Sequence, residues 1–511
     1  MHTKTKKSAS KKIGLKHTGD PKQLLKKMLK PTAGALCATA LLLTPLPDVQ
    51  AAASAAPAVT AISQTAESPA ILKGAWAPEA RTALQDFLKL YGRTSPGYDR
   101  QIRPYAVFDF DNTTSIMDVE EQLMIWQLDH LAFAIPPNEM RQILCSGMPE
   151  DKRSLTYGAD DGSGRPVSIN DAIDDAVRAY TALCAKGLVS RQGHEPSAAL
   201  QTDADYNEFR AKMRWLYDAI SETMDSSVSY PWVTYWFTHM TPDEVYHLAY
   251  TCDSWYGAAG KGQTWSKGTY TSPAVPDSKT GSISVSYKLG ITVTPEVKDL
   301  YHQLHKNGFD VWIDSASPLD VVRAAVDYFQ IPDVKGIVAM TNQKDASGRY
   351  INAYDYDQHA QTQGIGKSLT ISKVIAPQYQ GHGPAFCAMD SQGDFNFCTE
   401  FRDTKAVLIM NRKRSDDAAL CAGIAEYQKQ HHVTVAEANA AGDTRFILQG
   451  RDENTGKLWA DDHTQLLGKK DKAFLSDKAQ KAIAGLESGQ TIRQVLQENT
   501  QRKDYPGYKT R

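Results

Sequence analysis

No apolar run in the 511 residues approaches the ~20 that a membrane-spanning helix needs, which excludes a polytopic membrane protein. Internal repeats are absent as well. Cysteine is scarce, seven residues in all, and none stands in a CxxC pair, which argues against a zinc ribbon or a thioredoxin-like centre. An excess of one charge is also missing, since 57 Lys and Arg face 59 Asp and Glu for a formal balance of −2. What is present is a globular composition: 41% apolar and 23% charged, with 34 Gly and 24 Pro. Such a chain is too apolar to be disordered and too irregular for a fibre or coiled coil. Its length suffices for roughly two to four domains and a large core.

The neutral balance hides an uneven distribution. Residues 1–30 carry ten Lys and one acid, Asp20. The apolar stretch Ala33 to Leu43 follows, then Pro45, Pro47 and Val49-Gln50-Ala51. A basic region, a short apolar region and small residues before a cleavage point are the layout of a secretory signal peptide. The sequence therefore predicts a signal over residues 1–51, cut near Ala51, and a periplasmic or secreted protein. The basic region is long, and initiation at Met28 in place of Met1 leaves a signal of ordinary length. A nucleic-acid-binding arm would not need the apolar run, and a membrane anchor would need a longer one. Residues 1–50 hold ten Lys and two acids, net +8, so their removal shifts the balance from −2 to −10. An acidic mature chain argues against nucleic acid and against stable association with an anionic membrane. Six cysteines remain: Cys145, Cys184, Cys252, Cys387, Cys398 and Cys421. In an exported protein an even number allows up to three disulfides, with buried free thiols as the alternative.

Residues 52–75, rich in Ala, Ser, Thr and Pro, read as a flexible mature N-terminus. A helix is expected from Pro78 through Leu84, Leu88 and Tyr91, followed by the apolar strand Tyr105 to Phe108. Helix–strand alternation resumes at Thr294, with a helix to Asn307, a strand from Phe309 to Ile313, the polar Asp314-Ser-Ala-Ser-Pro318 and another helix to Phe329. Further strands are expected at Ile337 to Met340, Ala385 to Met389 and Val407 to Met410, and a hairpin-like segment from Phe446 to Gly456. This alternation predicts an α/β fold, a Rossmann-like, doubly wound parallel sheet. Residues 115–290 interrupt it with a mainly helical insertion. The expected organisation is a first core segment over 76–114, the insertion over 115–290, a second core segment over 291–460 and a C-terminal extension over 461–511.

Chemistry-bearing residues stand where strands end. Asp109-Phe-Asp111-Asn-Thr113 follows the first strand and can present two carboxylates to one ligand, one to attack and one to move protons. Ser315 lies at the end of a later strand, where a hydroxyl and a backbone N–H can bind a phosphate oxygen. Lys367 sits at a helix start and can neutralise phosphate and nucleophile together. Asp390-Ser-Gln-Gly-Asp394 adds two carboxylates suited to a hard divalent cation. Two other patterns fail on spacing. Gly366-Lys367-Ser368 lacks the earlier glycine of a P-loop, where Gln361 stands instead. Asp203-x-Asp205 lacks the glycine and terminal Glu of a calcium loop, where Glu208 and Arg214 stand.

This ordered set, DxDxT, then Ser, then Lys, then an acidic DSxxD motif, resembles the haloacid dehalogenase superfamily over about residues 100–410. The resemblance places the insertion as a cap between the first and second motifs and implies Mg²⁺-dependent phosphoryl transfer on a small phosphate monoester. It implies Asp109 as the nucleophile that forms an aspartyl-phosphate and Asp111 as the acid, then base. Ser315 and Lys367 would hold the phosphoryl oxygens. Asp390, Asp109 and the Asp111 carbonyl would hold the metal, supported by Asp394. An acid at the second position of DxD favours a phosphatase over a dehalogenase. Asp314 departs from the usual apolar residue before the motif serine and leaves Ser315 and Ser317 in competition, with Ser315 nearer the expected strand end.

Residues 206–270 hold 15 aromatics in 65 positions, including Trp215, Trp232, Tyr235, Trp236, Tyr250, Trp255, Tyr256 and Trp265. Cap packing accounts for most of such a density. The sharper expectation is an aromatic wall that, with Asp118, Glu120 and Glu121, holds a quaternary ammonium. The export signal, the cap position and the start after DxDNT look similar to bacterial phosphorylcholine phosphatases. Phosphoserine-type and general acid phosphatases are the alternatives within the class, and an inactive phosphate-ester-binding protein on the same scaffold is the alternative outside it.

Overall fold

Tyr105–Phe108 (β1) is buried on both faces, as only a central strand of a covered sheet can be. Its side chains divide by parity: Ala106 and Phe108 join one apolar core, Tyr105 and Val107 the other. The same alternation runs through Asp310–Pro318 (β2), Val334–Met340 (β3), Phe386–Met389 (β4), Ala406–Met410 (β5) and Arg445–Gln449 (β6). These six strands form one sheet in the order β6-β5-β4-β1-β2-β3, and every pairing is parallel. A parallel sheet aligns its strand C-termini on one edge, so the residues that follow β1, β4, β5 and β6 emerge side by side.

The computed structural model describes residues 72–160, 162–257 and 265–511. The expected signal peptide and the expected flexible segment up to residue 71 lie outside the described residues. Helices cover both faces of the sheet. On the first lie Pro78–Tyr91 (α1) and, after β1, the insertion built on Val119–His130 (α2), Ile169–Ala185 (α3), Ala204–Thr223 (α4) and Pro242–Tyr256 (α5). Pro295–Lys306 (α6) and Leu319–Tyr328 (α7) flank β2, and α5 packs along α7, where the Tyr246 hydroxyl donates to Asp327 at 2.8 Å. Ile365–Thr370 (α8) precedes β4. Ala418–Gln430 (α9) and Asp477–Glu487 (α10) pack together over the second face. Among the described residues, no helix is long and apolar enough to cross a membrane.

Three expectations change. The polar run Asp314 to Pro318 continues β2, with a register irregularity between Ser315 and Pro318, because Val338 and Ala339 of β3 pair with it. Phe446 to Gln449 is the parallel edge strand β6, and the hairpin is confined to Arg451–Asp452 and Lys457–Leu458. The cysteines do not pair: all six described ones are free, four of them buried. Cys387, Cys398 and Cys421 lie in the core on the second face and Cys252 in the core on the first, where they act as small apolar side chains. Of the patterns set aside on spacing, Asp203 caps α4 by accepting from Tyr206 N at 3.1 Å, and it pairs with Lys186 at 2.6 Å.

Candidate active site

At the C-terminal edge of the sheet a cavity of about 830 Å³ opens between the core and the inserted cap. Its floor is the loop after β1. The Asp109 backbone N–H still bonds to Ala388 O of β4 at 3.1 Å, which fixes the nucleophile candidate to the sheet. The chain then turns back on itself, with Asn112 in the left-handed region at φ 63°. Thr114 closes the turn: its hydroxyl donates to Asp109 O at 2.7 Å and meets the Tyr301 hydroxyl at 2.8 Å. Asp111 is held by Val119 N at 2.7 Å, at the start of α2, and by the Ser317 hydroxyl at 2.6 Å.

Lys367 is the centre of the charge arrangement. Its Nζ donates to Asp109 Oδ1 and to Asp394 Oδ1, both at 2.7 Å, and its side chain is 1% exposed. Burial alone would lower its affinity for a proton, but Asp109 and Asp394 outweigh that and hold the ammonium well above its ordinary pKa. Lys367 reaches them because Gly364, with φ at 54°, ends the preceding loop and donates its N–H to Gly393 O at 2.7 Å, joining the start of α8 to the acidic loop. Asp394 Oδ2 accepts from the backbone N–H groups of Asp390 and Ser391, both at 3.3 Å.

The oxygens of Asp109, Asp390 and Asp394 lie within 4.8 Å of one another. Lys367, with Arg412 on Asp390 Oδ2 at 2.6 Å, makes two cations against the three carboxylates, which leaves one negative charge in excess. Burial and then Asp394 push the Asp109 carboxyl well above the ordinary range, and burial likewise raises Asp394. A close, all-oxygen, under-neutralised set of this kind fits a hard divalent cation. Asp111 stands outside the set; burial, reinforced by Asp109, pushes its carboxyl up to about 7. That value suits a group that must both give and take a proton near neutrality.

Asp109, Asp111, Lys367, Asp390 and Asp394 thus meet in one cavity, contributed by β1, α8 and β4. Ser315 is fully buried, and the cavity wall is formed by Ala316 and Ser317. Ser315 lies beneath, accepting from Ser317 N at 3.1 Å and reaching Asp111 only at 3.5 Å. The register irregularity between Ser315 and Pro318 produces this: two residues apart on a regular strand the hydroxyls would share one face, and the break brings Ser317 out to the wall. Asp314, the departure from pattern, is fully buried with neither carboxylate oxygen bonded, and burial raises it well above the ordinary range.

Three strand ends and one helix start converge in chain order on one edge, with a cap between the first and second. That order is the one the resemblance to the haloacid dehalogenase superfamily implies. No protein-family model and no curated protein matches the sequence. Among solved structures, the chain is 26% identical to a conserved functionally unknown protein from Anaerococcus prevotii DSM 20548, over 78% of this chain and 98% of that one, at a TM-score of 0.65. It is 11% identical to a protein with unknown function from Bordetella pertussis Tohama I, over 68% of this chain and 98% of that one, at a TM-score of 0.32. A phosphoserine phosphohydrolase-like protein from Francisella tularensis subsp. tularensis SCHU S4 is 12% identical over 60% and 87%, at a TM-score of 0.25. Superpositions as loose as the last two carry no argument. The first shows that the architecture is shared along nearly all of a second protein.

The cap side of the cavity differs from the expectation of an aromatic wall. Trp215, Trp232 and Trp236 are buried in the cap core, and only Tyr217 and Tyr230 of the aromatic cluster line the cavity. Beside them stand Asp118, Glu120, Glu121 and Glu222. Sequence reasoning missed Arg412, which lines the cavity and donates to Asp390 Oδ2 at 2.6 Å. A charged residue just beyond the buried strand β5 is the signal that marked Asp390 after β4, and it marks Arg412 equally. Gln501 and Asp504 bring the C-terminal tail to the rim, where Gln501 donates to Gln392 O at 3.1 Å.

Proposed function

We propose that the protein is a Mg²⁺-dependent phosphomonoesterase acting through an aspartyl-phosphate on Asp109. The observation that carries this reading is Lys367 bridging Asp109 and Asp394 beside Asp390. That arrangement sets a buried carboxylate nucleophile between an ammonium and two further carboxylates, where a divalent cation would favour its ionised form. Asp109, Asp390 and Asp394 would hold the metal, which supplies positive charge against the phosphoryl oxygens. Asp109 attacks phosphorus in line, the ester oxygen leaves, and Asp111 gives it a proton. Asp111, now a carboxylate, takes a proton from the water that splits the acyl phosphate. Lys367 and the Ser315–Ser317 turn hold the transferring oxygens, with the Ser317 hydroxyl at the wall.

The substrate we propose is a small ester bearing a cation, choline phosphate being the simplest. Glu120, Glu121 and Glu222 line the cavity without a cationic side chain in ion-pair contact among the described residues, next to Tyr217 and Tyr230. Burial and the neighbouring acids push the Glu120 carboxyl well above the ordinary range, so an ammonium group placed there would favour its ionised form and meet two aromatic rings. Export is proposed from the basic and apolar N-terminal segment alone. The test is hydrolysis of p-nitrophenyl phosphate with Mg²⁺. Activity that disappears with EDTA and in Asp109→Asn supports the reading, and activity that survives Asp109→Asn refutes the covalent route.

A further inference from the structure

The residues that follow β5 and β6 carry charge into the interior of the site. Arg451, on the hairpin after β6, is 1% exposed, and its guanidinium forks onto one residue of the nucleophile loop. Nη1 donates to Asn112 O at 2.6 Å and Nη2 to Asn112 Oδ1 at 2.9 Å. Asn112 is the left-handed residue directly after Asp111, so the fork grips the turn at its sterically least favourable point. Nη2 of Arg451 also donates to Glu453 Oε1 at 2.8 Å, and Glu453 Oε2 accepts from Leu467 N at 3.0 Å. Arg412 Nε lies 3.6 Å from the same Glu453 oxygen, while its Nη1 bonds Asp390 Oδ2 at 2.6 Å.

We propose that Arg451, Glu453 and Arg412 are positioning residues: a buried row of alternating charge that sets the nucleophile loop against the carboxylate expected to hold the metal. The row reads Asn112, Arg451, Glu453, Arg412, Asp390, and each end is a part of the site. Stability alone does not call for it, since well-packed apolar side chains serve a core as well as a buried ion-pair row does. What the row supplies is a fixed relation between two strand-end loops. Arg412 occupies one oxygen of Asp390 and leaves the other for the cation. Arg451 keeps Asn112 in its turn, and so keeps Asp109 and Asp111 on the same side of it. The row also gives the chain beyond β6 a part in the chemistry. This inference rests on the phosphatase reading for its kinetic consequence, but not for its structural one.

The experiment uses the full chain and three variants, Glu453→Gln, Arg451→Lys and Arg412→Lys. Three quantities are read: Mg²⁺ affinity by calorimetry, amide hydrogen exchange across residues 110–117, and kcat and KM for p-nitrophenyl phosphate. Glu453→Gln keeps the shape and removes the charge between two guanidiniums. Arg451→Lys keeps the charge and removes the fork. The row predicts that Mg²⁺ affinity falls by about tenfold or more in Glu453→Gln and Arg412→Lys. Loop exchange should quicken by about tenfold in Glu453→Gln and Arg451→Lys. The fall in kcat should come with a KM change below about threefold. Unchanged Mg²⁺ affinity and unchanged loop exchange, with only a lower Tm, would overturn the proposal and leave the row a packing feature. If Glu453→Gln does not fold by circular dichroism, the two lysine variants decide. A wild-type chain that binds Mg²⁺ but hydrolyses no phosphate ester defeats the phosphatase reading, and the affinity and exchange arms still judge the row.

Discussion

The two walls of the cavity are built on opposite principles. On the core side each buried cation is matched by carboxylates: Lys367 by Asp109 and Asp394, Arg412 by Asp390, Arg451 by Glu453. On the cap side Glu120, Glu121 and Glu222 face the same space with no ion-pair partner among the described residues, flanked by Tyr217 and Tyr230. A matched, desolvated set holds geometry and cannot easily accept a new charge without losing an old one. An unmatched set does the reverse, raising the affinity for whatever cation enters. The difference teaches that chemistry and selection are divided between sheet and cap, and that substitutions on the two walls should fail differently.

The largest effect expected is on the core side. Asp109→Asn removes the nucleophile and should lower kcat by about four orders of magnitude or more, read by steady-state hydrolysis of p-nitrophenyl phosphate. Next comes Lys367→Met, which strands two buried carboxylates. Stability should fall by about 3–5 kcal/mol in urea unfolding at neutral pH, and Mg²⁺ should restore part of it by taking over the lost positive charge. A smaller loss is expected in Glu453→Gln. Burial would raise this carboxyl, but Arg451 and Arg412 outweigh it and hold it at about 2, below its ordinary 4.5. A depressed acid stabilises the fold above its unfolded pKa and loses that contribution as pH falls through the folded one. The variant should therefore be less stable than wild type by about 3 kcal/mol at pH 7, and the gap should close between pH 4.5 and 2.

Two further effects are kinetic. With Asp111 at about 7, its proton is present below that pH and lost above it. An alkyl phosphate, whose leaving group needs the proton, should react about tenfold more slowly per pH unit above 7 in single-turnover measurements. p-Nitrophenyl phosphate, with its good leaving group, should not slow, and Asp111→Asn should erase the contrast. The smallest effect belongs to the cap. Glu120→Gln should raise KM for choline phosphate by about tenfold while leaving p-nitrophenyl phosphate unchanged or better bound.

Much of the core side was legible in the sequence for a simple reason. Asp109 and Asp390 each follow a run of four apolar residues, and a buried parallel strand delivers its next residue to the functional edge. Asp111 and Asp394 follow from the short spacing of their loops, and Lys367 from the glycine-marked helix start. Ser315 and Ser317 were not separable, because their depths depend on how far β2 continues, and the pairing of Asp314 and Ser315 with β3 decides that. Arg451 was hidden for a different reason. It lies 339 positions from Asn112, and nothing local announces so distant a partner. The aromatic density of 206–270 proved mostly to be packing, since a helical cap of this size must bury its own core.

The division of labour between the walls is tested most directly by one pair of substrates. These are choline phosphate and its neutral carbon isostere, in which a tert-butyl group replaces the trimethylammonium. They share shape, each releases a primary alcohol, and they differ in the charge that the cap acids meet. With Mg²⁺ present, kcat/KM should favour choline phosphate by about tenfold or more through KM, and the preference should vanish in Glu120→Gln,Glu121→Gln. Equal kcat/KM for the two esters in the wild-type protein would contradict the account.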